Sequence, residues 1–91
     1  MPSPFRNNTA QNRYELDADG HIAAVFYRLS PGVVTLIHTE VASEVEGRGI
    51  GSRVVRAALE DARAQGLKVV PRCSFVSHYI SRHREFHDLL A

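Results

Sequence analysis

The chain has 91 residues, of which 44% are hydrophobic and 23% are charged, and its formal net charge is +1. These values are ordinary for one small globular domain, and so small a charge argues against a broad surface for nucleic-acid phosphates. No stretch approaches the roughly 18 consecutive apolar residues of a membrane span, and residues 1–10 lack the apolar core of a signal peptide. Because Cys73 is the single cysteine, no internal disulfide can form, which favours a cytoplasmic setting.

The first half of the chain predicts an antiparallel meander after a short tail. Residues 1–11 contain Pro, Asn and Ser without periodicity, so we expect a mobile tail there and a single domain over residues 12–91. Turn residues separate three stretches that are rich in β-forming side chains. We expect these stretches to be paired strands over residues 13–16, 21–29 and 33–41.

The second half predicts a β-α-β unit and a further helix. Apolar residues recur four apart from residue 50 onward, which predicts a helix over residues 49–64 that Gly66 terminates. A buried strand follows over residues 67–71, and the connecting helix places it parallel to the preceding strand or splayed beside it. A second helix is expected over residues 74–82, with an apolar face of Phe75, Val76, Tyr79 and Ile80. The last residues, 84–91, are expected to dock through Phe86, Leu89 and Leu90.

A glycine-rich stretch, Val45 to Arg53, lies between the third strand and the first helix. Three glycines alternate over five of its residues, and glycine lets a ligand approach the backbone closely. The first N–H groups of a helix lack partners and lie at the positive end of its dipole, so a strand, a glycine-rich turn and a helix form a site for phosphate. Ser52 adds a hydroxyl, and Arg48 and Arg53 add positive charge.

The spacing of this stretch distinguishes three kinds of phosphate loop. The loop of nucleotide hydrolases requires Lys and then Ser or Thr after its last glycine, and the dinucleotide loop requires G-x-G-x-x-G. The stretch here has neither pattern. Glu46 to Gly51 resembles the pyrophosphate loop of the Gcn5-related acetyltransferases, [Q/R]-x-x-G-x-[G/A], except that Glu46 stands at the Gln or Arg position. The alternative is a turn that only starts a helix.

The resemblance widens when other segments are taken in order, from Arg13 to Leu90. The segments are Thr35 to Val41, Gly47 to Ser52, Ala57 to Arg63, Gly66 to Cys73 and Ser74 to His83. Together they resemble the small, minimal branch of the Gcn5-related acetyltransferase superfamily, which has a Cys after the late strand. The resemblance implies an α+β, shortened acetyltransferase fold, acetyl-CoA as cosubstrate and acetyl transfer to an amine of a small molecule or a protein. It names no acceptor, and a partner or a second copy of the chain is one way to complete the acceptor site.

The resemblance also implies which residues bind coenzyme A. Val41 would offer backbone groups to the pantetheine amides, and Arg53 would pair with a nucleotide phosphate, unless it is only a solvated helix charge. The residues that would wrap the pyrophosphate, mainly through backbone N–H groups, are Arg48, Gly49, Ile50, Gly51 and Ser52.

Two candidates for a general base lie on the third strand. A period of two places His38 and Glu40 on one face together with Val34 and Leu36, about 7 Å apart. Imidazole exchanges protons near neutral pH, so His38 can take the proton of an ammonium acceptor, with Glu40 as the second candidate. The alternative is a half-buried structural His38 bonded to the backbone and a solvated Glu40.

Cys73 lies just after the second parallel strand, where the resemblance places the thioester. A helix N-terminus directly follows it and favours thiolate, so Cys73 is a candidate acyl-accepting nucleophile, although a free Cys is often only a small buried apolar residue. Tyr79 lies near the position of a Tyr that protonates the departing thiolate in longer relatives, or it packs in the core. His78, His83 and His87 lack the spacing of a structural zinc site, so no metal is expected. A coenzyme A-binding module with little catalysis remains the alternative function.

Overall fold

In residues 4–91, which the computed structural model describes, five strands lie in one sheet in the order in which they occur along the chain. The strands are β1 (Phe5–Asn8), β2 (Arg13–Ala18), β3 (His21–Ser30), β4 (Val33–Val41) and β5 (Lys68–Pro71). The α-helices are α1 (Ile50–Ala64) and α2 (Ser74–Arg82), and short 3-10 helices cover Thr9–Gln11, Ser43–Val45 and Arg84–Leu89.

The sheet is antiparallel from β1 to β4, and β5 is added in parallel to β4. Helix α1 makes the crossover between the two parallel strands, as a parallel pair requires. Gly66, with φ of +71°, follows the end of α1 in the left-handed conformation. The expected α+β fold, an antiparallel meander followed by a β-α-β unit and a C-terminal helix, is confirmed.

The N-terminal segment differs from the expected mobile tail. Residues Phe5–Asn8 form β1, which pairs with β2 from Phe5 opposite Leu16 to Asn8 opposite Arg13. An edge strand of this kind is held by backbone hydrogen bonds, so its polar residues carry no alternation that would reveal it. The Phe5 ring also stacks on Tyr14, with ring centroids 5.8 Å apart. Residues 1–3 of the expected tail lie outside the described part of the chain.

The two faces of the sheet differ in what they contact. Val25, Tyr27 and Leu36 point to the side on which α1 and α2 pack, and we call this the helix face. Phe26 and Arg28 point to the opposite side, which we call the open face. Helix α1 buries its apolar residues against the helix face: Ile50, Val54, Val55, Ala58, Leu59 and Ala62.

A β-bulge in β4 changes which residues face the helices. Phe26 is opposite His38, but the next residue, Tyr27, is opposite Leu36, so Ile37 is an extra residue without a partner. Beyond the bulge the alternation is reversed, and Thr39 faces the helices. His38 and Glu40 therefore lie on the open face. The prediction that they share a face with Val34 and Leu36 is wrong, because the period of two is interrupted.

Strands β4 and β5 separate beyond Leu36. Their pairing ends at Leu36 opposite Pro71, and the Leu36 carbonyl accepts hydrogen bonds from the N–H groups of both Arg72 and Cys73, each at 2.9 Å. The chain then turns into α2, whereas β4 continues to Val41. The last residues of β4 thus have no strand neighbour on this side among the described residues.

The C-terminal segment covers the outer side of β5. Phe86 and Leu89 are buried as expected, whereas the side chain of Leu90 is 41% exposed. The backbone makes the contact instead, with a bridge between Leu90 and Val69 and a hydrogen bond from Ala91 N–H to the Val69 carbonyl.

The helices of residues 4–91 are too short or too polar to span a bilayer.

Candidate active site

A cleft of about 400 Å³ lies between the end of β4, the glycine-rich loop and the beginnings of both helices. It brings together residues that are distant in sequence and joins the loop to the gap between β4 and β5. Its lining residues are Thr39, Val41, Val45, Glu46, Gly47, Gly49, Ile50, Gly51, Ser52 and Phe75. Five of the predicted coenzyme A-binding residues are among them, namely Val41, Gly49, Ile50, Gly51 and Ser52.

The loop presents unpaired N–H groups at the start of α1. Gly49 is the N-cap residue with φ of +72°, a left-handed conformation that glycine adopts without strain. The first intrahelical hydrogen bond runs from Arg53 N–H to the Gly49 carbonyl at 3.1 Å, so the N–H groups of residues 50–52 have no helical partner. No side chain caps this end, and its first turn contains no acid. These features together suit an anion.

Gly51 leaves room for the ring of Phe75. A Cβ atom at Gly51 would lie 3.0 Å from Phe75 Cζ and 3.5 Å from Val41 Cγ2. Phe75 is 44% exposed, although the helical pattern predicts it on the buried face of α2 with Val76. That part of the prediction is wrong, because Phe75 is in the first turn of α2 and its ring forms a wall of the cleft.

The inner part of the cleft approaches Cys73. The Thr39 hydroxyl oxygen lies 3.4 Å from Cys73 Sγ, and Cys73 is buried. Burial raises the pKa of the Cys73 thiol, but the Thr39 hydroxyl and the backbone N–H groups of Val76, Phe75 and Thr39 stabilise the thiolate, and the net effect is a lowered pKa. Cys73 is the N-cap of α2 but makes no side-chain capping hydrogen bond, so the helix N–H groups act mainly through electrostatics.

The charged residues of the loop are arranged differently from expectation. Arg48 Nη1 lies 2.7 Å from Asp19 Oδ2, in an ion pair with the turn between β2 and β3. Neither Arg48 nor Arg53 lines the cleft, whereas Glu46 does. The features of the loop that suit an anion therefore lie in its backbone, and the one charged side chain that lines the cleft, Glu46, is negative.

His38 and Glu40 form a pair of their own. His38 Nε2 lies 3.1 Å from Glu40 Oε2, and the His38 ring stacks on Phe26 with centroids 6.0 Å apart. Both side chains are exposed on the open face. They are thus near the gap beside β4 but across the sheet from the cleft. The half-buried His38 bonded to the backbone, which was the alternative, is not what the structure contains.

The remaining candidates have structural partners. Tyr79 is buried, and its hydroxyl accepts a hydrogen bond from Arg56 at 3.1 Å. His83 donates to the Tyr79 carbonyl at 2.7 Å, and His87 donates to the Ile80 carbonyl at 3.0 Å. Residues 4–91 contain no group of three His, Cys, Asp or Glu side chains placed to hold a metal ion.

Sequence reasoning missed Thr39 and misplaced Phe75. The available signal for Thr39 was the adjacent apolar pair Leu36 and Ile37, which breaks the alternation of β4 at the bulge. For Phe75 the signal was its position next to a helix N-terminus, where a side chain need not follow the buried stripe. Both residues reach the cleft through contacts between elements, which sequence spacing does not encode.

Comparison with known proteins agrees with this geometry. A family model of GCN5-related N-acetyl-transferases matches residues 13–89. The solution NMR structure of a GCN5-like candidate N-acetyltransferase from Staphylococcus aureus is similar, with a TM-score of 0.74 and 25% sequence identity. That likeness covers 100% of this chain and 91% of the other. Because the family model matches most of the sequence and the whole fold superposes, the chain belongs to the GCN5-related N-acetyltransferase family.

Proposed function

We propose that this protein is an N-acetyltransferase that uses acetyl-CoA as cosubstrate and an amine as acceptor. The observation that carries the proposal is that one continuous cleft connects the free N–H groups of α1 to Thr39, next to Cys73, where β4 and β5 separate. Coenzyme A has an anionic pyrophosphate and an extended pantetheine arm. It therefore requires an anion site that is connected to a groove for an extended chain. Family membership supports the same chemistry.

The described residues fit the parts of coenzyme A. The N–H groups at residues 50–52 would hold the pyrophosphate, and the Ser52 hydroxyl adds one donor. The unpaired side of β4 near Thr39 and Val41 would bond the pantetheine amides, as one strand bonds another. Phe75 would cover the arm and exclude water. When bound, acetyl-CoA supplies the acetyl thioester that the acceptor amine attacks.

Transfer requires that a base removes a proton from the amine. We propose His38 for this role, with Glu40 as the carboxylate that orients the imidazole across their 3.1 Å contact. The new C–N bond forms as the thioester C–S bond breaks. The amine proton goes to His38, and the electron pair of the broken bond leaves with sulfur. The His38 side chain lies on the open face of the sheet. This position suits an acceptor amine that enters from the side of the sheet opposite the cosubstrate.

Cys73 has two possible roles, and they lead to different chemistry. In direct transfer, which we favour, Cys73 lines the thioester pocket beside Thr39. In a covalent route, its thiolate would first take the acetyl group and then deliver it to the amine. Its lowered pKa supports the covalent route. The position of His38 on the open face supports the direct route. His38 can then take the proton of an amine that attacks the acetyl-CoA thioester directly, and no acetylated Cys73 is needed.

The test is turnover, measured as release of free coenzyme A thiol from acetyl-CoA with a panel of amines, peptides and protein lysines. We expect His38→Ala to lower the rate about 100-fold or more and Cys73→Ala to retain measurable turnover. Exposed His78, which has no proposed role, gives the matched control His78→Ala.

Intact-protein mass spectrometry separates the two routes. After mixing with acetyl-CoA and no acceptor, the direct route gives no acetyl adduct on Cys73. An adduct that forms within the turnover time and discharges to added amine would overturn the direct route. Binding of acetyl-CoA without release of thiol to any amine of the panel would favour a binding module and overturn the proposed enzyme.

A further inference from the structure

We propose that a second cleft, on the open face of the sheet, binds the acceptor, and that it selects amines that carry a carboxylate or a phosphate. The recognition residues are Arg28 and Arg72. This inference rests on the proposed acetyltransferase function, whose acceptor it narrows to a chemical class.

The cleft has a volume of about 510 Å³ and is lined by Arg28, Thr35, Ile37 and Arg72. It extends from Arg28 on β3 across Thr35 and Ile37 on β4 to Arg72, which directly follows β5. The cleft is of a size that holds a small molecule. It is separate from the cleft on the helix face, with which it shares no lining residue.

The charge of this cleft is positive and uncompensated. Neither the Arg28 nor the Arg72 guanidinium makes a hydrogen bond or an ion pair within residues 4–91, and no acid lines the cleft. The carboxylates elsewhere on the open face have other partners: Glu15 pairs with Arg6 and Arg13, and Glu40 pairs with His38. Two free guanidinium groups at one cleft are suited to a carboxylate or a phosphate, which they bind with paired hydrogen bonds.

The backbone under both arginines is fixed by the sheet. Arg28 belongs to β3, and the Arg72 N–H donates to the Leu36 carbonyl at 2.9 Å. Thr35 lines the same cleft and carries a hydroxyl, and Ile37, the bulged residue, is 43% exposed. The cleft therefore offers two cations, one neutral hydrogen-bonding group and one apolar side chain. A short organic amine with an anionic end matches this set.

The position of the cleft connects it to the proposed chemistry. Ile37 is two residues from Thr39 on β4, a separation of about 7 Å along a strand. His38 lies on the same open face, and the gap between β4 and Cys73 begins at Leu36. An acceptor held by its anion at Arg28 and Arg72 would direct its amine toward His38 and that gap. Nitrogen then gains the acetyl group, its proton passes to His38, and coenzyme A leaves as thiolate.

The experiment compares pairs of amines that differ in the anion. Glycylglycine is paired with glycylglycinamide for the carboxylate, and O-phosphoethanolamine is paired with ethanolamine for the phosphate. Binding is followed by backbone amide NMR with and without coenzyme A, and kcat/KM is measured with acetyl-CoA. The variants are Arg28→Gln and Arg72→Gln. Arg82→Gln removes one positive charge at the last turn of α2 and is the matched control.

We expect at least one anionic amine to shift the amide signals of Thr35, Ile37 and Arg72. The kcat/KM of that amine should exceed the kcat/KM of its neutral partner about tenfold or more. Each cleft variant should reduce this preference about tenfold, while Arg82→Gln retains it. The pair that shows the preference identifies the anion as carboxylate or phosphate.

Signals that do not move with either anionic amine, or that move equally with the neutral partners, would overturn the acceptor cleft. So would a preference that survives both substitutions. A wrong assignment of the acetyltransferase function would give a different result. Titration with acetyl-CoA would then leave the signals of the glycine-rich loop unmoved. Titration with the amines reports on the open face independently of that outcome.

Discussion

The Thr39 hydroxyl lies 3.4 Å from the sulfur of Cys73, across the gap that opens where β4 and β5 separate. The bulge at Ile37 makes this contact possible, because without the extra residue Thr39 would point to the open face. Cys73 is itself the N-cap residue of α2, so its sulfur lies at the start of that helix. Thr39 on β4 and Cys73, which follows β5, thus lie in one site.

Replacement of the Thr39 hydroxyl should raise the pKa of Cys73. The Thr39→Val variant keeps the shape of the side chain but removes the hydrogen bond that stabilises the thiolate. The rate of iodoacetamide alkylation should therefore reach half its maximum at a higher pH than in the wild type. Thr9→Val, at an exposed threonine distant in sequence, is the control. An unchanged alkylation profile would mean that Thr39 does not act on the sulfur.

Two glycine substitutions should weaken acetyl-CoA binding for different reasons. Gly51→Val places a side chain against Phe75, with Cβ only 3.0 Å from its ring, and would narrow the cleft. Gly49→Val meets no atom within 4 Å but must adopt a positive φ, a strain of about 1–3 kcal/mol. Calorimetry should find binding lost in Gly51→Val. In Gly49→Val the thermal stability should fall as well.

Gly66→Val provides the matched control for strain, since Gly66 also has a positive φ with open space around it but lies at the other end of α1. It should lower stability and leave affinity unchanged. Full affinity in the Gly51→Val variant would argue that the cosubstrate does not occupy this cleft.

We expect Glu46 to oppose the binding of phosphate at the proposed cosubstrate site. It is the one charged side chain that lines the cleft, and it stands where the related loops have Gln or Arg. Glu46→Gln removes the repulsion and should tighten acetyl-CoA binding about threefold to fivefold, a modest gain because the residue is exposed. Glu60→Gln changes the net charge equally on the exposed side of α1 and should have no effect. Weaker binding by Glu46→Gln in calorimetry would show that the carboxylate assists the ligand.

Glu15 should make stability depend on pH. Its side chain is buried, with Arg6 at 2.6 Å, Asn8 donating at 3.1 Å and Arg13 in contact. Burial raises the pKa of Glu15, but the hydrogen bonds from Asn8 and Arg13 and the two guanidinium charges outweigh it, and the net effect is a lowered pKa. A lowered carboxylate pKa contributes stability above the ordinary pKa, and that stability is lost as the pH falls through the folded value.

Urea unfolding of Glu15→Gln should reveal this contribution. At neutral pH the variant should be less stable by about 1–3 kcal/mol, because the buried ionic hydrogen bonds are lost. The difference from wild type should shrink as the pH is lowered, since the wild-type carboxylate becomes protonated. The control Glu60→Gln alters an exposed carboxylate and should show a small effect. A difference that stays constant down to acidic pH would contradict the assignment.

Much of the fold could be predicted from the sequence, because its elements have local signals. The period of apolar residues and Gly66 predict α1, and helix α2 has the bounds expected from its pattern. The bulge at Ile37 could not be placed in this way, because the adjacent apolar residues Leu36 and Ile37 interrupt the alternation without showing which residue lacks a partner on β3. Strand β1 was missed for a similar reason, since its pairing depends on backbone groups.

The parts of the candidate site that belong to a sequence motif could be predicted. The parts that depend on packing between elements could not. The glycine-rich loop and Cys73 have fixed places in the sequence, and both lie where the cosubstrate is proposed to bind. Phe75 and Thr39 join the site through the approach of α2 to α1 and through the reversed alternation of β4. Arg28 and Arg72 are far apart in the sequence, and only the sheet places them at one cleft.

The most direct measurement is a titration of the wild-type protein with acetyl-CoA, followed by backbone amide NMR. Binding as proposed predicts saturable shifts of Gly47, the residues 49–52 and Thr39 to Val41, with Phe75 and Cys73 perturbed at the start of α2. Signals of Arg28 and of the segment Arg84–Leu89 should move little. The absence of saturable shifts at the loop up to millimolar acetyl-CoA, or shifts centred elsewhere, would contradict the assignment of this cleft as the cosubstrate site.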